Sequence, residues 1–191
     1  MSESDSSILR PAVFLDRDGT ICEEVGYLNH LSRLMIYPWA AESIRRLNDA
    51  GLPVIVVTNQ SGVSRGMFPE SLVGEVHRQM AQELGAAQAR LDAVYYCTHR
   101  REDNCDCRKP LPGLLQRAAA EHGIDLARSF VVGDRYLDAA LARAVGGRGI
   151  MVMSGYGRGE YEFHHHTWPR QPDYVAEDLR AAVDIILKAL P

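Results

Sequence analysis

The stretch "AVFLDRDGT", residues 12–20, joins a short apolar run to a polar turn that carries two aspartates. An uninterrupted apolar run is typical of a strand that is buried on both faces of a parallel sheet. In open parallel sheets, ligands bind just beyond the carboxyl ends of the strands. A buried strand followed at once by Asp16 and Asp18 therefore predicts an α/β fold with carboxylates at its binding edge.

Similar apolar runs recur along the chain and alternate with segments of helical spacing. The further strands are predicted at "PVIVVTN" (53–59), "DAVYYC" (92–97), "SFVVGD" (129–134), "RGIMVM" (148–153) and, as a short sixth, "DYVAED" (173–178). Helices are predicted at 38–50, 69–84, 112–122, 137–145 and 179–190. Strands separated by helices predict a Rossmann-like, doubly wound parallel sheet. The internal "HHH" at 164–166 follows no such pattern and is expected to be an exposed loop.

Composition narrows the class of protein. The length of 191 residues suits a single domain spanning 1–191. A net charge of −4 gives no general attraction to nucleic acid or to an anionic membrane. The apolar runs are too short to span a bilayer, and the polar start of the chain does not resemble a secretory signal. We therefore expect a cytoplasmic, monomeric protein with a small-molecule partner.

Polar groups that suit one chemistry follow four of the predicted strands. The segments are "DRDGT" (16–20), "TNQSG" (58–62), "RK" (108–109) and "GDRYLD" (133–138). Any one of them could be explained as a helix or turn cap, but together they favour a shared pocket. Asp16, Asp18 and Asp134 are oxygen ligands of the kind that Mg²⁺ prefers, while Thr58 and Lys109 can hold phosphate oxygens.

Such a set is able to transfer a phosphoryl group. One carboxylate can attack phosphorus and form an acyl-phosphate, while a second protonates the leaving oxygen and later activates water.

The ordered segments "FLDRDGT", "VVTNQSG", "CRKP" and "VVGDRYLD" resemble the four motifs of the haloacid dehalogenase-like phosphatases. The resemblance implies that Asp16 is the nucleophile, that Asp18 is the general acid and base, and that Thr58 and Lys109 stabilise the transferred group. It also implies that Mg²⁺ binds Asp16, the Asp18 carbonyl and Asp134. Asp138 is similar to a second acidic position that supports the loop or the metal shell. Because no long insertion interrupts the motifs, we expect no large cap domain.

The stretch "CTHRREDNCDCRKP", residues 97–110, contains three of the four cysteines and a histidine. Cys97, His99, Cys105 and Cys107 supply enough ligands for a closed, structural zinc site. Buried free cysteines or a strained Cys105–Cys107 disulfide are the alternatives. A zinc loop at about 97–107 would fix the position of Lys109 directly after it. The fourth cysteine, Cys22, is interpreted as a small buried residue.

A zinc loop among these motifs resembles two subfamilies, the D-glycero-D-manno-heptose 1,7-bisphosphate phosphatases and the histidinol-phosphate phosphatases. "EEVGYL" and "VVTNQSGVSRG" favour the former, with a phosphosugar substrate and a role in heptose metabolism. The short gap between His99 and Cys105 favours the latter. The substrate contacts expected from the resemblance and from the cations of the motif segments are Arg17, Glu24, Val25, Gly26, Tyr27, Asn59, Gln60, Ser61, Arg108 and Arg135.

Two other classes of protein remain open at this point. One is a zinc-stabilised binding module without activity, which the complete set of catalytic residues disfavours. The other is a phosphosugar mutase, which would normally need a cap to exclude water. Five cations in the motif segments of an acidic chain favour a multiply anionic substrate: Arg17, Arg65, Arg108, Lys109 and Arg135.

Overall fold

The computed structural model describes residues 9–190, and its centre is a six-stranded parallel sheet. The strands are β1 (Val13–Leu15), β2 (Val54–Asn59), β3 (Ala93–Cys97), β4 (Phe130–Gly133), β5 (Arg148–Val152) and β6 (Tyr174–Ala176). Their order across the sheet is β3-β2-β1-β4-β5-β6, with every neighbouring pair parallel. The predicted doubly wound parallel sheet is confirmed, and all six strands lie where the apolar runs predicted them.

Helices cover both faces of the sheet. They are α1 (Ala40–Asp49), α2 (Glu70–Ala86), α3 (Gly113–His122), α4 (Tyr136–Ala144), α5 (Gly157–His164) and α6 (Leu179–Ala189). Residues of α1, α2 and α6 form one hydrophobic cluster with one face of the sheet, and residues of α3 and α4 form a second cluster on the other face. None of the helices described here is long and apolar enough to cross a membrane. Within residues 9–190, no large cap domain interrupts this arrangement.

The first strand shows why both faces need apolar residues. Val13 and Leu15 belong to the first cluster, whereas Phe14 between them belongs to the second. All three are completely buried. Burying one such side chain contributes about 1.5–3 kcal/mol to the free energy of folding, so packing on both faces of the sheet holds β1 in place. The residues that follow it therefore emerge from the sheet at a defined place.

The prediction of an exposed loop at 164–166 is wrong in its secondary structure. His164 is the last residue of α5, and a 3-10 turn, His165–Thr167, continues from it. His165 stacks on Tyr161 at 4.9 Å between ring centroids, and its Nδ1 lies 2.7 Å from the Tyr161 carbonyl oxygen. These contacts stabilise the helix. The sequence did not predict it, because the segment contains two glycines and few aliphatic residues.

The strand order reverses between β1 and β4. From β1 the chain proceeds to β2 and β3 on one side, and then crosses to β4, β5 and β6 on the other. A crevice forms at such a reversal, beyond the carboxyl ends of the strands, because the connecting segments diverge. Asp16 and Asp134 directly follow β1 and β4, and Thr58 lies near the end of β2.

Candidate active site

A cavity lies at this reversal of the strand order and brings the predicted residues together. With the exception of two positions, every residue predicted for catalysis, Mg²⁺ or substrate lines it. Those that do are Asp16, Asp18, Glu24, Gly26, Tyr27, Thr58, Asn59, Gln60, Ser61, Arg108, Lys109, Asp134 and Arg135.

Arg17 and Val25 do not line the cavity, so the predicted substrate contact of each stays a prediction without support from the cavity geometry. The Arg17 side chain is 2% exposed and its guanidinium is directed to Asp18, not to the cavity. Val25 packs against the first hydrophobic cluster, while its neighbours Glu24 and Gly26 face the cavity.

Three carboxylates meet at the base of the site. Asp16, Asp134 and Asp138 each offer an oxygen, and these oxygens lie within 4.8 Å of one another. Burial raises the pKa of Asp16 to about 6, although Lys109 opposes the rise. Burial, together with the neighbouring Asp16, raises the pKa of Asp134 to about 8. The raised values show that the folded chain alone leaves this negative charge incompletely compensated.

Glycines allow the backbone to approach Asp134 closely. The Asp134 Oδ2 accepts a hydrogen bond of 2.8 Å from the Tyr156 N–H. A Cβ atom placed on Gly19 or on Gly155 would overlap the Asp134 carboxylate, and both glycines have a positive φ (78° and 55°). The loops after β1 and β5 are therefore closed around this carboxylate. The contribution of Tyr156 and Gly155 was missed in the sequence, although "SGYG" follows a strand as the recognised segments do.

Lys109 is held from all sides. Its Nζ lies 2.9 Å from Asp16 Oδ1 and 2.7 Å from Asp138 Oδ1, and it donates to the Val57 carbonyl at 3.0 Å. Burial lowers the pKa of Lys109, but the two carboxylates outweigh this and raise it above its ordinary value. The ammonium is therefore charged, and Asp138 serves as its partner.

The peptide of Lys109 is also fixed. Asn59 accepts from the Lys109 N–H at 3.0 Å and donates to the Lys109 carbonyl at 3.2 Å. Asn59 was predicted to contact substrate, and it does line the cavity. Its amide group is nevertheless used by both of these bonds, which makes it a brace for Lys109.

Asp18 is oriented differently from the other carboxylates. Its side chain receives hydrogen bonds from Arg17 at 3.0 and 2.7 Å and from Gln60 at 2.9 Å. The Gln60 amide also donates to Thr58 Oγ1 at 2.9 Å. The Asp18 carboxylate therefore lies apart from the three-carboxylate cluster, and the predicted role of its carbonyl as a metal ligand stays a prediction.

Cations and a braced loop form the rim of the cavity. Arg108 donates from Nη1 to the His99 carbonyl at 3.0 Å, so one of its several N–H groups is engaged by the chain. Arg135 pairs with Glu160 at 2.9 Å and lies over the Tyr156 ring at 4.9 Å. Arg33 donates to the Tyr27 carbonyl at 2.7 Å and holds the loop that carries Tyr27.

The cysteine cluster has the dimensions of a tetrahedral metal site. Cys97 Sγ lies 3.5 Å from His99 Nδ1, 3.7 Å from Cys105 Sγ and 3.2 Å from Cys107 Sγ, and His99 Nδ1 lies 3.3 Å from Cys107 Sγ. Ligands about 2.0–2.3 Å from a central Zn²⁺ would be separated by about 3.3–3.8 Å. All four cysteines are free, so the alternative of a disulfide is not supported. The four ligands fit a structural zinc ion.

Comparison with known proteins places this geometry in a family. Residues 22–143 match the family model of the haloacid dehalogenase-like hydrolases, and residues 106–182 match a related model, HAD-hydrolase-like. The chain belongs to the haloacid dehalogenase-like hydrolase family. The matched residues contain Thr58, Lys109 and Asp134, whereas Asp16 and Asp18 precede them.

Curated members of this family are similar over most of the chain. A protein of Thermosynechococcus vestitus named D-glycero-D-manno-heptose-1,7-bisphosphate 7-phosphatase is 44% identical over 190 residues, which are 93% of this chain and 95% of that protein. The Escherichia coli K12 protein named D-glycero-beta-D-manno-heptose-1,7-bisphosphate 7-phosphatase is 38% identical over 154 residues, 76% of this chain and 80% of its own length.

A solved structure of the haloacid dehalogenase-like family shares the fold closely. The crystal structure of D,D-heptose 1,7-bisphosphate phosphatase from B. bronchiseptica, complexed with magnesium and phosphate, superposes with a TM-score of 0.86. It is 30% identical, and the alignment covers 94% of this chain and 99% of that one. The resemblance predicted from the four motifs is thus confirmed.

The residues present here fit the Mg²⁺ that this family uses. Among residues 9–190, Asp134 has no ion-pair partner, although it is 1% exposed. A buried carboxylate without a partner is costly, and a divalent cation between Asp134 and Asp16 would remove that cost.

Proposed function

We propose that this chain is a Mg²⁺-dependent phosphatase that removes the C7 phosphate from D-glycero-D-manno-heptose 1,7-bisphosphate and leaves heptose 1-phosphate. The observation that carries the proposal is the convergence of Asp16, Asp18, Asp134 and Lys109 on one cavity whose rim holds Arg108 and Arg135. The names of the relatives described above support the choice of substrate.

In the first step, an oxygen of Asp16 attacks phosphorus. Arg17 N–H and Lys109 Nζ both contact Oδ1, at 2.8 and 2.9 Å, which makes Oδ2 the available nucleophile. As the Oδ2–P bond forms, the bond between phosphorus and the sugar oxygen breaks. Asp18, which enters this step protonated, gives its proton to that oxygen, and the product is an aspartyl-phosphate on Asp16.

In the second step, the ionised Asp18 takes a proton from a water molecule. The water oxygen attacks phosphorus, the bond to Asp16 breaks, and inorganic phosphate is released. Lys109 and Thr58 face the transferred group in both steps, where the Thr58 hydroxyl can donate to its oxygens and the positive charge of Lys109 stabilises them as charge accumulates. Asp138 holds the ammonium of Lys109 in place throughout.

Asp16, the Asp18 carbonyl and Asp134 would hold the Mg²⁺. When bound, the ion would supply positive charge beside the phosphoryl oxygens and would relieve the repulsion between the two carboxylates. Cys97, His99, Cys105 and Cys107 would hold a structural Zn²⁺ and so determine the course of the segment that leads to Lys109.

The rim favours a substrate with two anionic ends. Arg108 and Lys109 are adjacent in sequence, and both line the cavity, so one can serve a remote phosphate while the other serves the phosphate that is transferred. Arg135 adds a second cation on the same side as Asp134. A histidinol phosphate, which has a single phosphate and a cationic amine, would offer no second anion to Arg108.

The test is release of phosphate by the purified protein with Mg²⁺. The heptose bisphosphate, histidinol phosphate and p-nitrophenyl phosphate would be compared by kcat/KM, with Asp16→Asn as the inactive control. We expect the heptose bisphosphate to be preferred by at least about tenfold, since one added charge-assisted contact is worth about 1.5–3 kcal/mol. A preference for histidinol phosphate would overturn the choice of substrate. Absence of Mg²⁺-dependent release from all three would favour the inactive binding module, and an isomerised phosphosugar without free phosphate would indicate a mutase.

A further inference from the structure

A buried histidine on α2 has no part in the steps above. His77 is 8% exposed, and its Nε2 lies 3.3 Å from Nη1 of Arg17. Its ring also lies 5.5 Å from the ring of Tyr96, at an interplanar angle of 58°. A guanidinium can only donate hydrogen bonds, so Nε2 is the acceptor and the ring proton belongs on Nδ1. Burial, together with the Arg17 cation, lowers the pKa of His77 to about 3, in agreement with this neutral form.

Arg17 connects this histidine to the catalytic loop. Its Nε and Nη2 donate to the two oxygens of Asp18 at 3.0 and 2.7 Å, and its Nη1 is directed to His77. The guanidinium is planar and rigid, so fixing one of its nitrogens also fixes the direction of the other two. Because Arg17 is 2% exposed, water cannot readily replace a lost acceptor. Without the His77 acceptor, a buried donor would be left unpaired, and Arg17 would rotate to find another.

We propose that His77 and Arg17 are positioning residues that hold the Asp18 carboxyl group in line with the leaving oxygen. The inference rests on the proposed function, in which Asp18 donates the proton to that oxygen. None of the residues of α2 lines the cavity, so His77 acts only through Arg17. The bidentate contact directs both Asp18 oxygens, and Gln60 restrains one of them from the other side.

The predicted consequence depends on the leaving group. When the bond from phosphorus to the leaving oxygen breaks, the electron pair goes to that oxygen. p-Nitrophenolate is stable as an anion, whereas phenolate depends more on a proton from Asp18. A misplaced Asp18 should therefore slow the reaction of phenyl phosphate more than that of p-nitrophenyl phosphate. These two compounds are similar in shape, and the comparison does not require the natural substrate.

The experiment measures kcat/KM for both aryl phosphates and takes the ratio, p-nitrophenyl to phenyl. The fraction of folded enzyme cancels in this ratio, so a partly unfolded variant still gives a valid answer. His77→Leu removes the acceptor, and His77→Gln retains an acceptor at a similar distance from the backbone. Asp18→Asn removes the proton donor, and Arg78→Ala, on the exposed side of α2, is the matched control.

We expect His77→Leu to raise the ratio about tenfold, the size of one lost hydrogen bond to a charged group. His77→Gln should stay within about twofold of the wild type, because an amide oxygen can accept the same bond. Arg78→Ala should leave the ratio unchanged, and Asp18→Asn should raise it most. If His77→Leu yields no folded protein, Arg17→Lys provides the same comparison, since an ammonium cannot bridge Asp18 and His77 in one plane.

The decisive case is one in which Asp18→Asn raises the ratio. In that case, an unchanged, wild-type ratio in His77→Leu would overturn the inference, as would an unchanged ratio in Arg17→Lys where that variant is used. Equal losses on both substrates would show that His77 is only structural. If Asp18→Asn itself leaves the ratio unchanged, the acid role in the proposed function fails, and the inference fails with it.

Discussion

Two ion pairs of this protein have the same length and very different burial. Lys109 and Asp138 are 2.7 Å apart, with side chains 2% and 1% exposed. Arg46 and Asp184 are also 2.7 Å apart, but their side chains are 33% and 49% exposed. Replacing each aspartate by asparagine therefore compares the loss of one negative charge in two environments. We expect the buried change to be much the more destabilising.

The magnitude follows from the separation and the surroundings. At 2.7 Å and an effective dielectric constant of about 20, the attraction within the buried pair is about 6 kcal/mol. Removing one partner of a buried pair generally costs about 3–5 kcal/mol. In Asp138→Asn the new amide oxygen would still accept a hydrogen bond, and repulsion of Asp16 and Asp134 would be relieved, so we expect a loss of about 3 kcal/mol. For Asp184→Asn, where solvent screens the pair, we expect less than about 1 kcal/mol.

Equilibrium unfolding in urea measures both losses as shifts of the midpoint at constant slope. Lys109→Met and the double variant complete a thermodynamic cycle, which isolates the interaction between the two side chains. We expect a coupling of at least about 2 kcal/mol in the buried pair. Equal destabilisation by Asp138→Asn and Asp184→Asn, or a coupling near zero, would refute the reasoning that burial makes Lys109 dependent on Asp138.

The remaining predictions concern the site itself. Asp16→Asn should abolish turnover in a protein that still folds, and activity above a few per cent would contradict the covalent step. Freshly purified protein should contain about one zinc per chain, and Cys107→Ser should lower zinc content, stability and activity together. Purified protein that contains no zinc and whose thiols can all be titrated would disprove the zinc site. Arg108→Ala should reduce kcat/KM about ten- to a hundredfold on the bisphosphate and little on p-nitrophenyl phosphate. Arg101→Ala, elsewhere on the zinc loop, is the control and should change kcat/KM on neither substrate. Equal losses on both substrates for Arg108→Ala would mean that Arg108 only braces the loop. Because the pKa values of Asp16 and Asp134 are raised to about 6 and about 8, Mg²⁺-free protein should lose stability as the pH rises from the ordinary aspartate value through those two values. Added Mg²⁺ should then raise the melting temperature more at about pH 8 than at about pH 5, and an increase independent of pH would be contrary to the prediction.

The elements that the sequence predicted well are those with a one-dimensional pattern. β1 to β6 are runs of apolar residues buried on both faces, and the segments that follow them carry the polar groups of the site. The exception is α5, whose aromatic contacts, such as that between Tyr161 and His165, are visible only in three dimensions. The contribution of Tyr156, after β5, was missed for a different reason. It donates a backbone N–H to Asp134, and any residue type could supply that group.

Arg17 shows a second limit of sequence analysis. An arginine between two aspartates in a polar turn is naturally expected to face solvent or an anionic substrate. The acceptor that faces its Nη1 is His77, which lies 60 residues away on α2, and no local pattern connects the two positions. The direction of a long side chain is decided by the acceptor available to it after folding, and that acceptor was not apparent in the sequence.

The contacts around Lys109 explain why "CRKP" follows the cysteine cluster directly. Cys107 anchors the chain two residues before Lys109, Asn59 binds its peptide on both sides, and Asp138 holds its ammonium. A point charge stabilises a transferred phosphoryl group only where the charge develops, so its location matters more than its strength. Arg108, between the two fixed residues, is the one whose side chain extends to the rim. The same short segment thereby fixes the cation that serves the reaction and presents a second cation that can select the substrate.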